Sequence, residues 1–328
     1  MSTDDPDLPA LVRASWHRFA DTYEPLRGEL YRYCRHLTRS PWDAEDLAQE
    51  TMARAFATLG RMGAAPPNPR AWLFRVASNR WLDLVRRPLA PPDQAPPPPP
   101  PPIELRDAAG ALLVQLAPQE RAAVVLKDAF DFSLEEVAAI IGTTVGAVKT
   151  ALHRGRGKLR EPEPAPDRAP ARGAVDAFCA AFNARDVAGL TALLLDTATV
   201  EVVGATASYG ADETRAQMLR GMLFGSERLA AAATAGGIDA RFVCGARPTP
   251  PRAEARLHRG EAIVVLWYAH DDGEHVRAIN RVVDDGGRIA TLWNYFFTPD
   301  LIAEVCAELG LSHRPNGYRW WLTRAGCP

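Results

Sequence analysis

The sequence predicts a multi-domain protein in which two all-α domains, the second with a helix-turn-helix, precede an α+β domain with a curved antiparallel sheet. Three observations support this prediction. Apolar residues recur with helical periodicity through residues 8–160, short strand-like runs separated by Asp-Gly turns follow later, and two proline-rich segments divide the chain. A length of 328 residues is sufficient for two or three domains.

The first helical block, residues 8–87, contains two informative helices. The segment 43–59 begins with acidic residues, which suit the helix dipole. The segment 69–87 has an apolar face made of Phe74, Ala77, Trp81 and Val85. Its polar stripe holds Arg75, Asn79, Asp83 and Arg86, flanked by Arg80 and Arg87. Such a stripe is typical either of a solvated surface or of one that contacts base edges and phosphates.

Two proline-rich segments are predicted to be spacers between domains. The first, residues 88–102, ends in seven consecutive prolines, which favour an extended polyproline helix. The second occupies residues 161–171. Between them lies a second helical block, residues 103–160, in which Pro118 suits the first turn of a helix.

Residues 131–160 have the pattern of a helix-turn-helix. Ser133 and Glu136 are spaced as a capping box, Gly142 suits the end of a helix, and Thr144 can cap the next one. The polar face of that second helix and its basic end carry Gly146, Lys149, Thr150, His153, Arg154, Arg156, Lys158 and Arg160. The pattern indicates a recognition helix for the major groove, with a plain helical hairpin as the alternative. Relative to alanine, Gly155 and Gly157 each lower the intrinsic stability of this helix by about 1 kcal/mol.

The third block, residues 172–300, has an α+β pattern, and residues 301–328 form a tail. The sequence predicts a helix over 173–195, a strand near 199–204 and a helix around 212–224. Further strands are predicted near 240–246, 253–258, 262–269, 276–283 and 288–297, and a last helix at 299–309. This order predicts two or three helices packed on one antiparallel sheet.

The bulk composition narrows the classes of function. The net charge of −2 gives no global basic signature, so nucleic-acid binding must depend on local patches. The five cysteines are widely spaced without a CxxC pair, which predicts neither a disulfide framework nor a zinc site and fits a reducing cytoplasm. We expect no metal and no cofactor. The apolar run 262–269 is too short to span a membrane, so no membrane partner is expected.

The first 160 residues resemble a bacterial RNA polymerase sigma factor of the extracytoplasmic-function group. The resemblance rests on AEDLAQETMARAF (44–56), PRAWLFRVASNRWLDLVRR (69–87) and residues 116–160, in that order. It implies that residues 8–87 are sigma region 2, which binds core polymerase and the −10 element. It also implies that residues 103–160 are sigma region 4, which reads the −35 element.

The resemblance also implies roles for individual residues. The residues expected to contact the polymerase clamp helices are Asp43, Asp46, Leu47, Glu50 and Phe56. The residues expected to melt and read the −10 region are Arg75, Asn79, Arg80, Asp83, Arg86 and Arg87. The residues expected to contact the −35 element are Thr144, Lys149, Thr150, His153, Arg154, Arg156 and Lys158. Two DNA readers joined by a spacer can contact both elements at once, which raises their effective concentration at the correct spacing.

Residues 172–300 resemble the nuclear transport factor 2-like fold in its polyketide cyclase-like branch, on runs such as AVDAFCAAFNARDVAGLTALL and TLWNYFFTPD. This likeness implies a cone-shaped regulatory domain with an apolar pocket and, as a further partner, an unidentified small ligand. The candidate lining residues are Trp267, Tyr268, Trp293 and Tyr295, together with Phe296 and Phe297. Because strand side chains alternate, only about half of them can point inward.

The resulting expectation is a cytoplasmic sigma factor that directs core polymerase to specific promoters under the control of its own C-terminal domain. No nucleophile elbow, phosphate loop or metal-ligand spacing is present in the sequence, so we expect no catalytic residue. Two alternatives stay open. One is a small-molecule enzyme fused to a DNA-binding module, with His270 or His275 transferring a proton. The other is a repressor that never contacts polymerase, whose activity would survive charge reversal at Asp46 and Glu50.

Overall fold

A computed structural model describes residues 8–62, 64–86, 116–158, 173–204, 206–211, 219, 222, 251–270, 272–314 and 317–318. The chain divides into two compact units, Met1–Pro166 and Asp167–Pro328. This division falls within the second proline-rich segment. None of the helices described in either unit has the length and apolarity needed to cross a bilayer.

The first unit is helical throughout its described residues. Its first half contains α1 (Leu8–Tyr23), a 3-10 turn (Glu24–Leu26), α2 (Arg27–Thr38), α3 (Pro41–Leu59) and α4 (Pro69–Arg86). Its second half contains α5 (Pro118–Asp128), α6 (Leu134–Ile141) and α7 (Val145–Lys158). The prediction of two all-α segments, the second ending in a helix-turn-helix, is therefore confirmed.

The core of the first half lies between α2, α3 and α4. Tyr33, Ala48 and Phe74 are fully buried there, and the small side chain on α3 allows close approach of its neighbours. Buried polar contacts add specificity to this packing. The Tyr33 hydroxyl lies 2.7 Å from Ser78 Oγ, and Arg27 of α2 forms a buried ion pair with Glu45 of α3.

The helix-turn-helix forms through the local signals in its sequence. Ser133 Oγ accepts a hydrogen bond from the Glu136 amide at 3.1 Å, and the Glu136 carboxylate accepts one from the Ser133 amide at 2.9 Å, which completes the capping box. Gly142 adopts a left-handed conformation with φ of 67° and ends α6. The Ala147 amide then donates to Thr144 Oγ1 at 3.2 Å, so Thr144 caps α7.

The loop between α5 and α6 is one place where the two halves of the first unit pack against each other, besides the hydrogen bond from Arg121 to the Leu37 carbonyl at 2.8 Å. Phe130 and Phe132 of this loop each lie 5.3 Å, between ring centroids, from Phe74 of α4. Arg70 of α4 donates a hydrogen bond to the Phe130 carbonyl at 3.2 Å, and its guanidinium lies 4.2 Å from the centre of the Phe132 ring. We call this set of contacts the Arg70 junction.

The second unit contains one six-stranded sheet in its described part, together with three helices. The elements in chain order are α8 (Gly173–Asn183), α9 (Val187–Ala192), β1 (Leu194–Val202), β2 (Thr206–Tyr209), β3 (Arg252–His258), β4 (Glu261–His270), β5 (Gly273–Asp285), β6 (Arg288–Tyr295) and α10 (Pro299–Leu309). The strands lie in the order β2-β1-β6-β5-β4-β3. The predicted α+β class is thus confirmed.

The sheet is mixed, which corrects the prediction of an antiparallel one. Each of the other neighbouring pairs is antiparallel, but β1 and β6 pair in parallel, with Val200 opposite Leu292. The parallel pair joins β1 to β6, the last strand of the antiparallel β3–β6 meander. Such a pair requires a long crossover connection, which periodicity within single strands does not reveal.

The prediction of one continuous helix over 173–195 is wrong: α8 ends at Asn183, the separate helix α9 follows over Val187–Ala192, and β1 begins at Leu194. Arg185 adopts a left-handed conformation with φ of 59°, which ends α8. Asp186 then caps α9 by accepting from the Gly189 amide at 2.8 Å. The Asn183 side chain also bonds the Ala253 amide and carbonyl, both at 2.8 Å, and this holds the end of α8 on β3. The predicted elements at 212–224 and 240–246 lie outside the described residues, apart from Leu219 and Met222.

The two faces of the sheet carry different apolar clusters. On one face Val264, Leu266 and Tyr268 join a core with Phe178 and Phe182 of α8, and we call this the α8 face. The opposite face carries the alternate residues, among them Val265 of β4, Ile279 of β5 and Tyr295 of β6, which lie side by side across the three strands. Both clusters are buried, so β4 and β5 are covered on both sides.

Candidate nucleic-acid and polymerase interfaces

The polar stripe of α4 lies on the surface because the opposite side of the helix is anchored in the core. Leu73, Phe74 and Ala77 are fully buried. The exposed residues along the stripe are Arg75, Asn79, Asp83 and Arg86. They supply donors and acceptors suited to bases and phosphates, on a helix whose orientation is fixed by packing. Arg87 lies outside the described residues.

The apolar face of α4 is shorter than the sequence predicts. Trp81 and Leu82 are buried, but Val85 is 45% exposed and the adjacent Leu84 is 39% exposed. The assignment of Val85 to the buried face is therefore wrong, because that face ends at Leu82, before the last turn of the helix. The exposed pair leaves an apolar spot beside the polar stripe.

Arg80 does not lie in the stripe but is directed towards α3. Its Nε is 2.5 Å from Glu50 Oε2, and its side chain is 13% exposed. Glu50 also accepts a hydrogen bond from Arg54 Nε at 3.0 Å. Partial burial acts to raise the pKa of Glu50, but the guanidinium groups of Arg80 and Arg54 hold it below its usual value. A residue predicted to contact DNA is thus paired with one predicted to contact polymerase.

The residues predicted to contact polymerase divide into an exposed set and a buried set. Asp43, Asp46 and Glu50 follow one face of α3 at i, i+3 and i+7 and reach the surface. Leu47 is only 2% exposed and belongs to the core. Phe56 is half-buried, with its ring centroid 5.0 Å from that of Trp16 on α1. The surface that α3 offers to a partner is therefore an acidic stripe, while Leu47 and Phe56 hold the helix in place.

The outer face of α7 presents a continuous polar surface. Val148 and Leu152 are buried, which turns Lys149, Thr150 and His153 outward. Arg154 is exposed beside them. The exposed side chains at these spacings include two cations and two hydrogen-bonding groups, the types that contact bases and phosphates in the major groove. Thr144 is exposed at the start of the helix and serves as its cap.

Arg156 and Gly155 connect α7 to α5. Arg156 forms a bidentate ion pair with Asp128, with its Nε 3.0 Å from Oδ2. Gly155 lies so close to α5 that a Cβ placed there would be 2.7 Å from Val124 Cγ2. Gly155 lowers the intrinsic stability of α7, but it allows α5 and α7 to pack closely. The side chain of Lys158 lies outside the described residues.

The four aromatic residues predicted to line a pocket do not share one face of the sheet. Tyr268 packs in the α8 face, near Phe296. Trp267, Trp293 and Tyr295 lie on the opposite face, where Trp267 Nε1 donates to Glu254 at 2.7 Å. As the alternation of strand side chains predicts, only some of the candidates share a face, because Trp267 and Tyr268 are neighbours along β4.

A buried amide pair on the α8 face was not predicted from the sequence. Asn280 of β5 and Asn294 of β6 are opposite each other, and Asn294 Nδ2 donates to Asn280 Oδ1 at 2.6 Å. Asn280 is fully buried, and among the described residues its Nδ2 has no hydrogen-bond partner. A lone asparagine inside each of the apolar runs AINRVV and TLWNYFF was the available signal. Such a pair places polar groups inside an otherwise apolar cluster.

His270 and His275, the candidates for proton transfer if the protein were an enzyme, lie at the end of the β4–β5 hairpin. His275 Nε2 is 3.1 Å from Asp272 Oδ1, and its Nδ1 contacts Ser312. Arg314 donates to Asp272 at 2.7 Å and lies 3.4 Å from His270 Nδ1. Burial, followed by the charges of Arg277 and Arg314, lowers the pKa of His270. These contacts fasten residues 312–314 beside β5, where the Val276 amide donates to the Ser312 carbonyl at 2.9 Å.

The described part of the chain contains neither a candidate metal site nor an exposed cysteine thiol. No group of three or more His, Cys, Asp or Glu is placed there to hold a metal ion. Cys34, Cys179 and Cys306 are buried free thiols, and burial raises the pKa of Cys179 and of Cys306 to about 12. At neutral pH these thiols are protonated and unreactive.

A helix-turn-helix with an exposed polar face, preceded by helices with an acidic and a basic surface, is an arrangement typical of DNA-binding proteins. Comparison with known families agrees. Residues 22–88 match Sigma-70 region 2, and residues 106–159 match Sigma-70 region 4.

Known sigma factors are similar to this chain. It is 37% identical over 146 residues to the sigma factor SigE of Mycolicibacterium smegmatis, a match that covers 40% of this chain and 56% of that protein. It is 31% identical over 233 residues to SigG of Mycobacterium tuberculosis, covering 58% and 63%. The chain thus spans less than two thirds of these two proteins. It is also 36% identical over 152 residues to the RNA polymerase sigma-E factor of Streptomyces coelicolor, covering 44% of this chain and 84% of that protein.

The chain belongs to the extracytoplasmic-function RNA polymerase sigma factors. Among solved structures, it is similar to the extracytoplasmic-function sigma factor SigJ of Mycobacterium tuberculosis, with 23% identity, a TM-score of 0.31, and coverage of 87% of this chain and 98% of that one. A polyketide cyclase of Pseudomonas putida, described as such without proof of activity, matches with 20% identity, a TM-score of 0.25, and coverage of 40% and 95%.

Proposed function

We propose that this protein directs core RNA polymerase to specific promoters and initiates transcription, and that its C-terminal unit controls that activity. The observation that carries the proposal is the presence of two exposed polar surfaces, on α4 and α7, within one unit that also exposes the acidic stripe of α3. The two polar surfaces would read the −10 and −35 elements, and the acidic stripe would bind the polymerase.

Each surface suits its task by chemistry. The melted −10 strand requires donors and acceptors on a rigid helix, and Arg75, Asn79 and Arg86 are exposed on α4. The −35 duplex requires a helix that enters the major groove, and α7 exposes Lys149, Thr150 and His153. Arg80 and Arg156 make less direct contributions in the free protein because each is held by a carboxylate.

Simultaneous reading of both elements would require the two halves of the first unit to separate. The centres of the −10 and −35 elements are about 25 base pairs apart, which is about 85 Å of duplex at 3.4 Å per pair. A compact protein with as many residues as the first unit is only about 40 Å across. The segment 87–115 has the length to permit this, since an extended chain of that length reaches about 95 Å. The Arg70 junction would then open on the polymerase.

The C-terminal unit would act as a regulator and not as an enzyme. Its sheet carries a buried amide pair, Asn280 and Asn294, that a small ligand with a polar group could satisfy. A ligand that binds one conformation of this unit better than another would shift the activity of the first unit. We expect this regulation to operate where the polymerase works, in the cytoplasm.

Run-off transcription with core polymerase on fragments of the source genome tests the proposal. We expect the full chain and a truncation after residue 165 to initiate at the same start sites in different amounts. Charge reversal at Asp46 and Glu50 together should abolish initiation, because the acidic stripe is removed. Failure of both the full chain and the truncation to initiate at any site would overturn the proposed function.

A further inference from the structure

One carboxylate joins two surfaces to which the proposed function gives different partners. Glu50 lies on the acidic stripe of α3, and Arg80 lies on the helix that carries the −10 stripe. The contact between them crosses from one helix to the other, whereas the Glu50–Arg54 contact stays within α3 at i and i+4. A change in the partner of Glu50 would therefore alter the contacts of Arg80 on α4.

The geometry of Arg80 differs from that of the cations in the polar stripe of α4. Its side chain is 13% exposed and lies against α3, while Arg75 and Arg86 are exposed. Its Nε is 2.5 Å from Glu50 Oε2. Because Glu50 is partly exposed, this ion pair belongs to the class that contributes little net stability, so one partner can be exchanged for another cation.

Glu50 is accessible enough for an exchange of partners. Its side chain is 35% exposed, and it already divides its two oxygens between Arg80 and Arg54. A cationic group of the polymerase that approaches the acidic stripe would compete for the same carboxylate. A guanidinium released in this way becomes available for phosphate or base contacts.

We propose that Glu50 couples polymerase docking to DNA contact: in the free protein it retains Arg80, and a cation of the polymerase that binds Glu50 releases Arg80 towards DNA. This inference rests on the proposed function and deepens it. Linkage requires the effect to be reciprocal, so a retained Arg80 must also weaken binding of the polymerase. Arg80 is in this sense a positioning residue in the free protein and a DNA ligand only in the complex.

A double-mutant cycle on the full chain tests the coupling through equilibrium binding of core polymerase. Arg80→Gln should tighten binding about threefold to fivefold, the range of a partly exposed ion pair. This gain should vanish when Glu50→Gln is already present. The matched control is Arg32→Gln, which removes the same charge from an exposed position on α2 and should leave the affinity unchanged. Thermal unfolding of each variant reports whether the fold is retained.

A second measurement uses polymerase saturated with each variant and a fork DNA that exposes a single-stranded −10 region. Arg80→Gln should weaken DNA binding and reduce the salt slope by about 0.7, the loss of one single-strand phosphate contact. A purely structural role for Arg80 predicts weaker polymerase binding and a lower melting temperature instead.

The outcomes are distinguishable from failure of the proposed function. If the wild-type chain does not bind core polymerase, both proposals are overturned. If it binds, but Arg80→Gln fails to tighten binding or does so equally without Glu50, the coupling is overturned and the proposed function stands.

Discussion

Substitution of Arg70 by alanine should shift the first unit from its packed state towards a separated one. Two contacts of Arg70 cross the junction: the 3.2 Å hydrogen bond to the Phe130 carbonyl and the stacking of the guanidinium 4.2 Å from the Phe132 ring. The hydrogen bond contributes about 1 kcal/mol, and the cation–π contact about 0.5–1 kcal/mol at a partly exposed site. The loss of about 1.5–2 kcal/mol corresponds to an increase of roughly tenfold to thirtyfold in the separated population.

Förster transfer between dyes on the two halves measures this population. Ala53→Cys on α3 and Ala139→Cys on α6 place both dyes on exposed positions, with Cys244 and Cys327 replaced by serine. The remaining cysteines are buried and should not react. We expect Arg70→Ala to increase the low-transfer fraction, and added core polymerase to increase it further.

The matched control for this prediction is Glu29→Gln. Arg70 forms a bidentate ion pair with Glu29 on α2, at 2.8 and 2.9 Å, but this pair lies within the first half of the unit. Its loss should cost up to about 1 kcal/mol of stability and leave the dye separation nearly unchanged. Identical transfer in the wild type and in Arg70→Ala would refute the assignment of the junction as the contact that keeps the two readers together.

Three further predictions concern stability and DNA contact. Gly155→Ala should destabilise the first unit by about 1–3 kcal/mol in urea unfolding, although alanine favours helix, because its Cβ would meet Val124 at 2.7 Å; a stabilised variant would contradict this. Lys149→Ala should weaken binding to a −35 duplex and reduce the salt slope by about 1, and an unchanged slope would exclude a phosphate contact. Burial acts to raise the pKa of Glu308, but His258 and Arg259 lower it to about 2. The contribution of the ionised Glu308 carboxylate to folding stability is therefore present above pH 4.5 and is lost as the pH falls towards 2. The melting temperatures of Glu308→Gln and wild type should therefore differ at neutral pH and converge near pH 2, and a constant difference would disprove the linkage.

Local signals in the sequence were sufficient wherever structure depends on neighbours along the chain. The capping box of Ser133 and Glu136, the left-handed Gly142 and the Thr144 cap involve groups only a few residues apart, and each formed as predicted. Helical periodicity likewise located α3 and α4 and turned Arg75, Asn79 and Lys149 to the surface. A period of 3.6 residues determines which side chains share a face, whatever the partner of that face.

Contacts between distant segments were not accessible in this way. Nothing local indicates that Arg80 lies on Glu50, that Phe130 and Phe132 pack on Phe74, or that Asn280 faces Asn294. The exposure of Val85 and the burial of Leu47 also depend on where the neighbouring helices end. In the second unit, the parallel pairing of β1 with β6 joins segments far apart in the chain, and helical periodicity did not indicate the left-handed Arg185 that breaks the predicted helix.

The amino-acid sequence by itself determined the helix-turn-helix, the polar stripe of α4, the acidic start of α3 and the change to an α+β pattern, because periodicity and capping are properties of short segments. The tertiary structure alone decided which of those side chains are free to meet a partner. A charge on a helix surface acts according to what lies opposite it, and for Arg80 and Arg156 that is a carboxylate from another helix.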